Sequence, residues 1–421
     1  MIGWAKGTTV RATAYPQTSA ALSNLRGVFI LILLAFHACV PYLASAPAPA
    51  ASFEAPPYSW LAFPIVDSRR FFGFDLYCAW EDAQVMAMMF FLSGVFVAPS
   101  LRRKGAARFA ADRAWRLAPP FLLGLFVLSP LALFPVFRRL NPDANVADYL
   151  AAYLRLPFLP NGPQWFVWLL LAFALVTAAV SALCPGALDR LGALASGARH
   201  RPGPFLLALA VAATWAYLPP MLAYGPFDWF ESGPFSFQKS RPLLYGVFFV
   251  AGVAAGANGM GEGLLAADGA LAKGWRRLAM AAPLALFAWM GLMGIGLTWP
   301  KVAPLAMTFF SGVAYVAACV TGVASLLSAS VRFGGQPVRW LAPLGRNAMG
   351  IFALHYAPMI WIQDALTSAA VPAPVKACFV FAATLVISLA LSSAIRRSVA
   401  LAWLIGEAPV SAPALPEYAR P

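Results

Sequence analysis

Stretches of about 20 apolar residues each recur along the chain, near 24–45, 84–100, 117–137, 164–184, 204–223, 242–258, 278–298, 302–328, 341–361 and 374–395. Lipid offers no partner for backbone N–H and C=O groups, so a segment that crosses it must satisfy them as a helix or close into a barrel. Barrel strands alternate apolar and polar residues, whereas these runs are continuous. The expected fold is therefore all-α, a polytopic transmembrane helical bundle of about ten spans. Composition agrees: 61% of the 421 residues are hydrophobic and only 11% are charged. The least distinct boundary separates the seventh and eighth runs, where Trp299-Pro300-Lys301 is the one polar break.

The basic residues orient the bundle. With a cytoplasmic N-terminus, the inner side receives Arg102, Arg103, Lys104, Arg108, Arg113 and Arg116, and then Arg190, Arg199 and Arg201. Further along it receives Lys273, Arg276, Arg277, Arg332, Arg339, Arg346, Arg396 and Arg397. This bias fits an even number of spans with both termini cytoplasmic, since an odd number would put Arg396 and Arg397 outside. The chain divides into a leader over 1–23, a membrane domain over 24–398 with an outer cap at 46–83, and a tail over 399–421. A basic start, an apolar stretch and Ala44-Ser45-Ala46 before Pro47 also mimic a cleavable signal. The long polar leader, and a histidine that a signal core has no use for, argue for retention.

A net charge of +14 would suggest nucleic acid in a soluble chain. Here the basic residues flank apolar spans, so topology, lipids and anionic phosphate are the expected partners, and nucleic acid is not. The five cysteines are scattered singly, which indicates neither a disulfide framework nor a zinc site, and no metal is expected.

Ionisable residues inside a membrane are costly and point to function. Arg26 and His37 share the first span, eleven residues apart. A helix rises 1.5 Å and turns 100° per residue, which sets them about 16 Å apart and about 20° out of line. One end of this face offers a cation and the other an imidazole that titrates near neutrality, suited to a general base. Arg113 and Arg116 are three apart at a helix start and share a face, so their guanidiniums suit a pyrophosphate or a 3′-phosphate. A second histidine, His355, lies deep in the ninth span, while His200 lies in a basic inner loop. At the outer side, Gln164 and Trp165 open the fourth span, either as part of an interfacial aromatic belt or as a sugar-binding floor. Glu81 and Asp82 border the second.

Several short motifs, in order, resemble the acyltransferase-3 family of integral membrane acyltransferases. Arg26 through His37 resembles its Arg, ten residues, His signature. Met89-Phe90-Phe91-Leu92-Ser93-Gly94-Val95, followed by Arg113-Ala114-Trp115-Arg116, is similar to its FFLSG stretch and RxxR motif. Pro163-Gln164-Trp165-Phe166-Val167-Trp168 resembles its outer WFL segment, and Gly345-Arg346-Asn347 to Leu354-His355 its late-helix motif. The Gly-Val-Asp that many members carry just before FFLSG has its nearest counterpart displaced outward, at Gly73-Phe74-Asp75, which leaves Asp75 without an assigned role. The arrangement looks closest to the standalone glucan-modifying subgroup.

The resemblance implies an O-acyltransferase of the bacterial inner membrane. It would move an acyl group, of acetyl or succinyl type, from cytoplasmic acyl-CoA to a hydroxyl of an outer glycan or glycolipid. His37 would be catalytic, and Arg26, Arg113, Arg116 and Arg346 would hold the CoA co-substrate. Glu81, Asp82, Gln164, Trp165 and His355 would face the acceptor. The rival reading is a transporter or flippase whose histidines and arginines line a path for a polar or anionic substrate. A weaker rival is a haem protein ligated by the two intramembrane histidines.

Overall fold

The computed structural model describes residues 11–299 and 304–409. Pro300 and Lys301 of the polar break lie outside the described residues, as do the first ten residues of the leader and the tail from 410 onward. In chain order the helices begin with α1 Arg11–Cys39, α2 Phe72–Val95, α3 Val97–Lys104, α4 Ala106–Leu123, α5 Ser129–Leu140 and α6 Val146–Arg155. They continue with α7 Trp165–Leu183, α8 Ala187–Leu194, α9 Pro202–Tyr224, α10 Pro242–Ala257, α11 Ala270–Lys273 and α12 Trp275–Thr298. The last are α13 Pro304–Phe333, α14 Ala342–Arg346, α15 Ala348–Leu354, α16 Tyr356–Leu366, α17 Ala373–Ile395 and α18 Val399–Leu404. An antiparallel hairpin, β1 Trp229–Ser232 with β2 Phe235–Gln238, joins α9 to α10.

The all-α membrane bundle expected from the sequence is what forms. Eight stretches among the described residues are long and apolar enough to cross a membrane, and α10 is a shorter apolar helix of the same character. The remaining apolar window, 341–361, is the exception. It is divided among α14, α15 and α16, with breaks at Asn347 and His355. Pro358 explains the second break, because it has no N–H to offer the Leu354 carbonyl and its ring crowds that turn.

Two further departures have local causes. The outer segment expected over 46–83 turns helical at Phe72, so α2 begins about three turns before the apolar window does. There Asp75 accepts hydrogen bonds from the amides of Ala44 and Ser45, at 2.8 and 2.9 Å, and ties α2 to the turn that ends α1. The third span is interrupted between α4 and α5 by a wider π turn, Gly124–Leu128. Pro119 and Pro120 precede it inside α4, and a prolonged turn of this kind relieves missing N–H groups.

Helix α2 packs against α10 with the backbones in contact. A Cβ at Gly94 would run into the Phe249 carbonyl oxygen, and one at Gly252 or Gly256 into those of Phe91 or Val95. Small residues allow such approach where apolar burial alone gives no drive between helices. The cap over 46–71 is held by Trp60, fully buried and stacked on Phe53 at 4.9 Å, within a cluster that includes Phe137 and Tyr149. A buried ion pair, Lys376 Nζ to Asp67 Oδ2 at 2.7 Å, fastens this cap to α17.

Candidate active site

The end of the bundle that carries Arg26, Arg102, Arg103 and Arg396 is here termed the basic end. Helix α1 runs from it without interruption, so the spacing between Arg26 and His37 is that of one continuous helix. Arg26 is exposed, and its guanidinium lies over the Phe96 ring at 4.4 Å, where α2 gives way to α3. Arg113 lies on α4 against the Phe109 ring at 5.1 Å, and the charges of both Arg116 and Arg26 act on it. Three guanidiniums from two helices therefore share one electrostatic neighbourhood. Arg346 ends α14 as an exposed side chain. Helix α14 packs beside the same part of α1, where Leu341 meets Gly27.

Glu407, which sequence reasoning passed over, also reaches this basic end. Its carboxylate accepts from the amides of Met349 and Gly350 at 2.9 and 3.1 Å. Burial pushes its carboxyl up from the usual carboxylate range, while Arg116 and Arg396 pull against that shift. The nearby Arg396 donates to the Ala408 carbonyl and, with Ser392, to Oδ1 of Asn347 at the first break of the divided span.

At the other end of the helix face, His37 and His355 meet. Their ring centroids are 5.2 Å apart with planes tilted by 37°, and Tyr356 stands edge-on to both rings at 6.3 Å. His355 is wholly buried. Its Nδ1 lies 2.6 Å from the Phe352 carbonyl oxygen. A carbonyl only accepts, so Nδ1 carries the hydrogen, and in the neutral ring Nε2 presents a lone pair. Among the described residues Nε2 has no hydrogen-bond partner. The break of the span at His355 is what brings this ring to α1.

Gln164 joins the same group. Its Nε2 donates to the Ala353 carbonyl at 3.4 Å, two residues before His355, and its Oε1 is buried without a partner among the described residues. The side chain rests on Gly124 of the π turn, where a Cβ would collide with it. The neighbouring Gly162 adopts a positive φ of 51° and lies against the Tyr356 ring. A side chain there would be strained and would crowd that ring.

Of the other expected acceptor-side residues, Trp165 and Asp82 are engaged in contacts of their own. Trp165 stacks on Tyr245 at 5.8 Å, within an aromatic cluster around Phe90. Glu81 is buried on α2. Asp82 is taken up by an ion pair with Arg241 at 2.8 Å and by the Tyr315 hydroxyl. The structure thus brings His37, His355 and Gln164 together and leaves Trp165 and Asp82 in other contacts. Tyr356 and Gln363, which the sequence reading did not single out, complete the surroundings of His37. No group of three or more metal-ligating side chains occurs among the described residues.

The chain matches a family model described as an acyltransferase domain over residues 19–393. No curated protein and no solved structure matches it.

Proposed function

Because the chain belongs to the acyltransferase-3 family and is a multi-pass membrane acyltransferase, we propose that it transfers an acyl group, of acetyl or succinyl type, from cytoplasmic acyl-CoA to a hydroxyl of a glycan or glycolipid on the outer face of a bacterial inner membrane. The observation that carries this reading is the meeting of His37, which shares α1 with Arg26, and His355 of the divided span at 5.2 Å. Arg26, Arg113 and Arg116 are a cationic set suited to the phosphates of CoA, with Arg346 beside them. A guanidinium fork binds phosphate oxygens in two-point, charge-assisted fashion. The pantetheine arm then follows α1 for about 16 Å, by its rise per residue, to the imidazole.

In the transfer step the acceptor oxygen attacks the thioester carbon and gives its proton to His37. The new C–O bond forms as the C–S bond breaks, and the departing thiolate takes the proton from the imidazolium. His355, with Nδ1–H held by Phe352, offers Nε2 to a second hydroxyl of the acceptor, and the unpartnered Oε1 of Gln164 offers another acceptor atom. Burial strengthens such contacts because water does not compete for them.

The test is loss of acyl-CoA thioester by purified protein in the presence of a panel of glycan acceptors, with mass spectrometry of the products. Acyl ester on a glycan, formed in step with free CoA, supports the proposal. Movement of a polar solute down its gradient with no thioester consumed would replace it with the transporter reading.

A further inference from the structure

Away from His37, a narrow cavity of about 240 Å³ runs between α9, α12 and α13 at the end of the bundle opposite the basic end. Met221, Met293 and Met307 supply its walls. Trp289 of α12 and Trp299, just past the end of that helix, also line it. Arg241 is another lining residue. Its guanidinium sits 4.3 Å from the Tyr315 ring centroid, and that ring meets Trp289 at 5.0 Å.

Arg241 is only 2% exposed, and a guanidinium cannot shed its charge in a protein. Asp82 takes one nitrogen, Nη2, at 2.8 Å. Nε and Nη1 have no acceptor among the described residues. Buried donors left unmatched are costly, and arginines at membrane depth face partners or cavities that serve a function. The cavity therefore pairs a fixed, buried cation with apolar, adaptable methionine walls.

We propose that this cavity binds a slender alkyl carboxylate, inserted head first so that the carboxylate completes the donor set of Arg241 and the chain lies along the methionines. A volume of about 240 Å³ holds about eight non-hydrogen atoms at the ~30 Å³ share of a water molecule, the size of hexanoate. The inference is independent of the chemistry at His37, because it rests on different helices and a different cation.

The test uses the full chain in lipid nanodiscs with radiolabelled hexanoate as the probe. Gly296 lines the cavity, and a Cβ there meets no atom within 4 Å, so Gly296→Leu fills the slot without displacing Arg241. Arg241→Gln is combined with Asp82→Asn, so that no carboxylate is left buried without its cation. Saturable binding is expected in the parent chain, weakened ten- to a hundredfold in the double variant, as for loss of a charge-assisted contact. It should be lost in Gly296→Leu, with an unchanged unfolding midpoint. Succinate, charged at both ends, should not compete. Unsaturable partition, or saturable binding that Gly296→Leu leaves unchanged, would overturn the proposal. Competition by succinate as strong as that by hexanoate would overturn it too, in favour of a site for aqueous dicarboxylates.

Discussion

Gln363, on α16, donates a 2.8 Å hydrogen bond to the main-chain carbonyl oxygen of His37. That carbonyl belongs to the last turn of α1, where no helical N–H follows to claim it. The bond joins the helix of one histidine to the helix that starts beside the other. Gln363→Leu should cost about 1 kcal/mol of stability, as an ordinary hydrogen bond does. It should also lower the rate of transfer while leaving acyl-CoA affinity unchanged, because it disturbs the position of His37 and not the basic end. Thermal unfolding and steady-state kinetics together check this. A rise in the KM for acyl-CoA with kcat intact would contradict it.

His37→Ala should still fold and bind CoA, with transfer reduced by about 10² to 10⁴, the usual range for a lost general base. His37→Asn keeps a hydrogen-bonding side chain but cannot take a proton at neutral pH, so it should be equally slow. Near-normal turnover in His37→Asn would reduce the role of His37 to a structural hydrogen bond and move the search for the base to Nε2 of His355. An acyl group trapped on His37 after brief exposure to acyl-CoA would show that it carries the acyl group itself.

Arg113→Ala and Arg116→Ala should each weaken acyl-CoA binding by about ten- to a hundredfold, the value of one charge-assisted contact. Lysine should restore only part of this, since a single ammonium does not reproduce the fork. Titration calorimetry with CoA measures it directly. Unchanged affinity in both alanine variants would return these residues to topology markers.

The ion pair between Lys376 and Asp67 is buried on both sides, at 1% side-chain exposure each. Asp67→Asn leaves the ammonium without its counter-charge and should destabilise the fold by about 3–5 kcal/mol. Replacing both partners, with Asp67→Leu and Lys376→Met, should recover most of that loss, because an apolar pair carries no desolvation cost. Unfolding midpoints of the three proteins decide the matter. By contrast, the exposed Arg155–Glu54 pair should be close to neutral on removal.

Single cysteines at Gly105, Gly197 and Gly335 should react with impermeant reagents only from the cytoplasmic side, and those at Ala55, Asp143 and Phe230 only from outside. This follows from the arginine asymmetry. Labelling of position 197 in intact cells would overturn the assignment.

Most of the bundle was legible because a twenty-residue hydropathy average needs no knowledge of partners, and the alignment of Arg26 with His37 needs only the pitch of one helix. The rest depends on contacts between distant segments. The break at His355 follows from Pro358, which an apolar average over 341–361 conceals. The early start of α2 was hidden by Asp75, Glu81 and Asp82, which lower the hydropathy of its first turns. Two of these find partners outside the helix, in the amides of Ala44 and Ser45 and in Arg241. Arg241 itself read as a lone arginine, since Asp82 lies 159 residues away. Glu407 lay in a tail beyond the last apolar window, after a run (399–405) too short to cross a membrane.

Between Arg26 and His37, α1 is one unbroken helix with no proline and a single glycine, Gly27, which is held against Leu341, so the interval has little room to adjust. On the acyl-CoA reading, this helix is a caliper whose jaws are fixed. A donor whose anionic end and thioester are separated by less than about 16 Å can touch one jaw but not both. A truncated thioester without the nucleotide should therefore gain nothing from the arginines, however well its acyl group fits. Selection among donors in such a protein is first a matter of reach, and only afterwards a matter of which acyl group the donor carries.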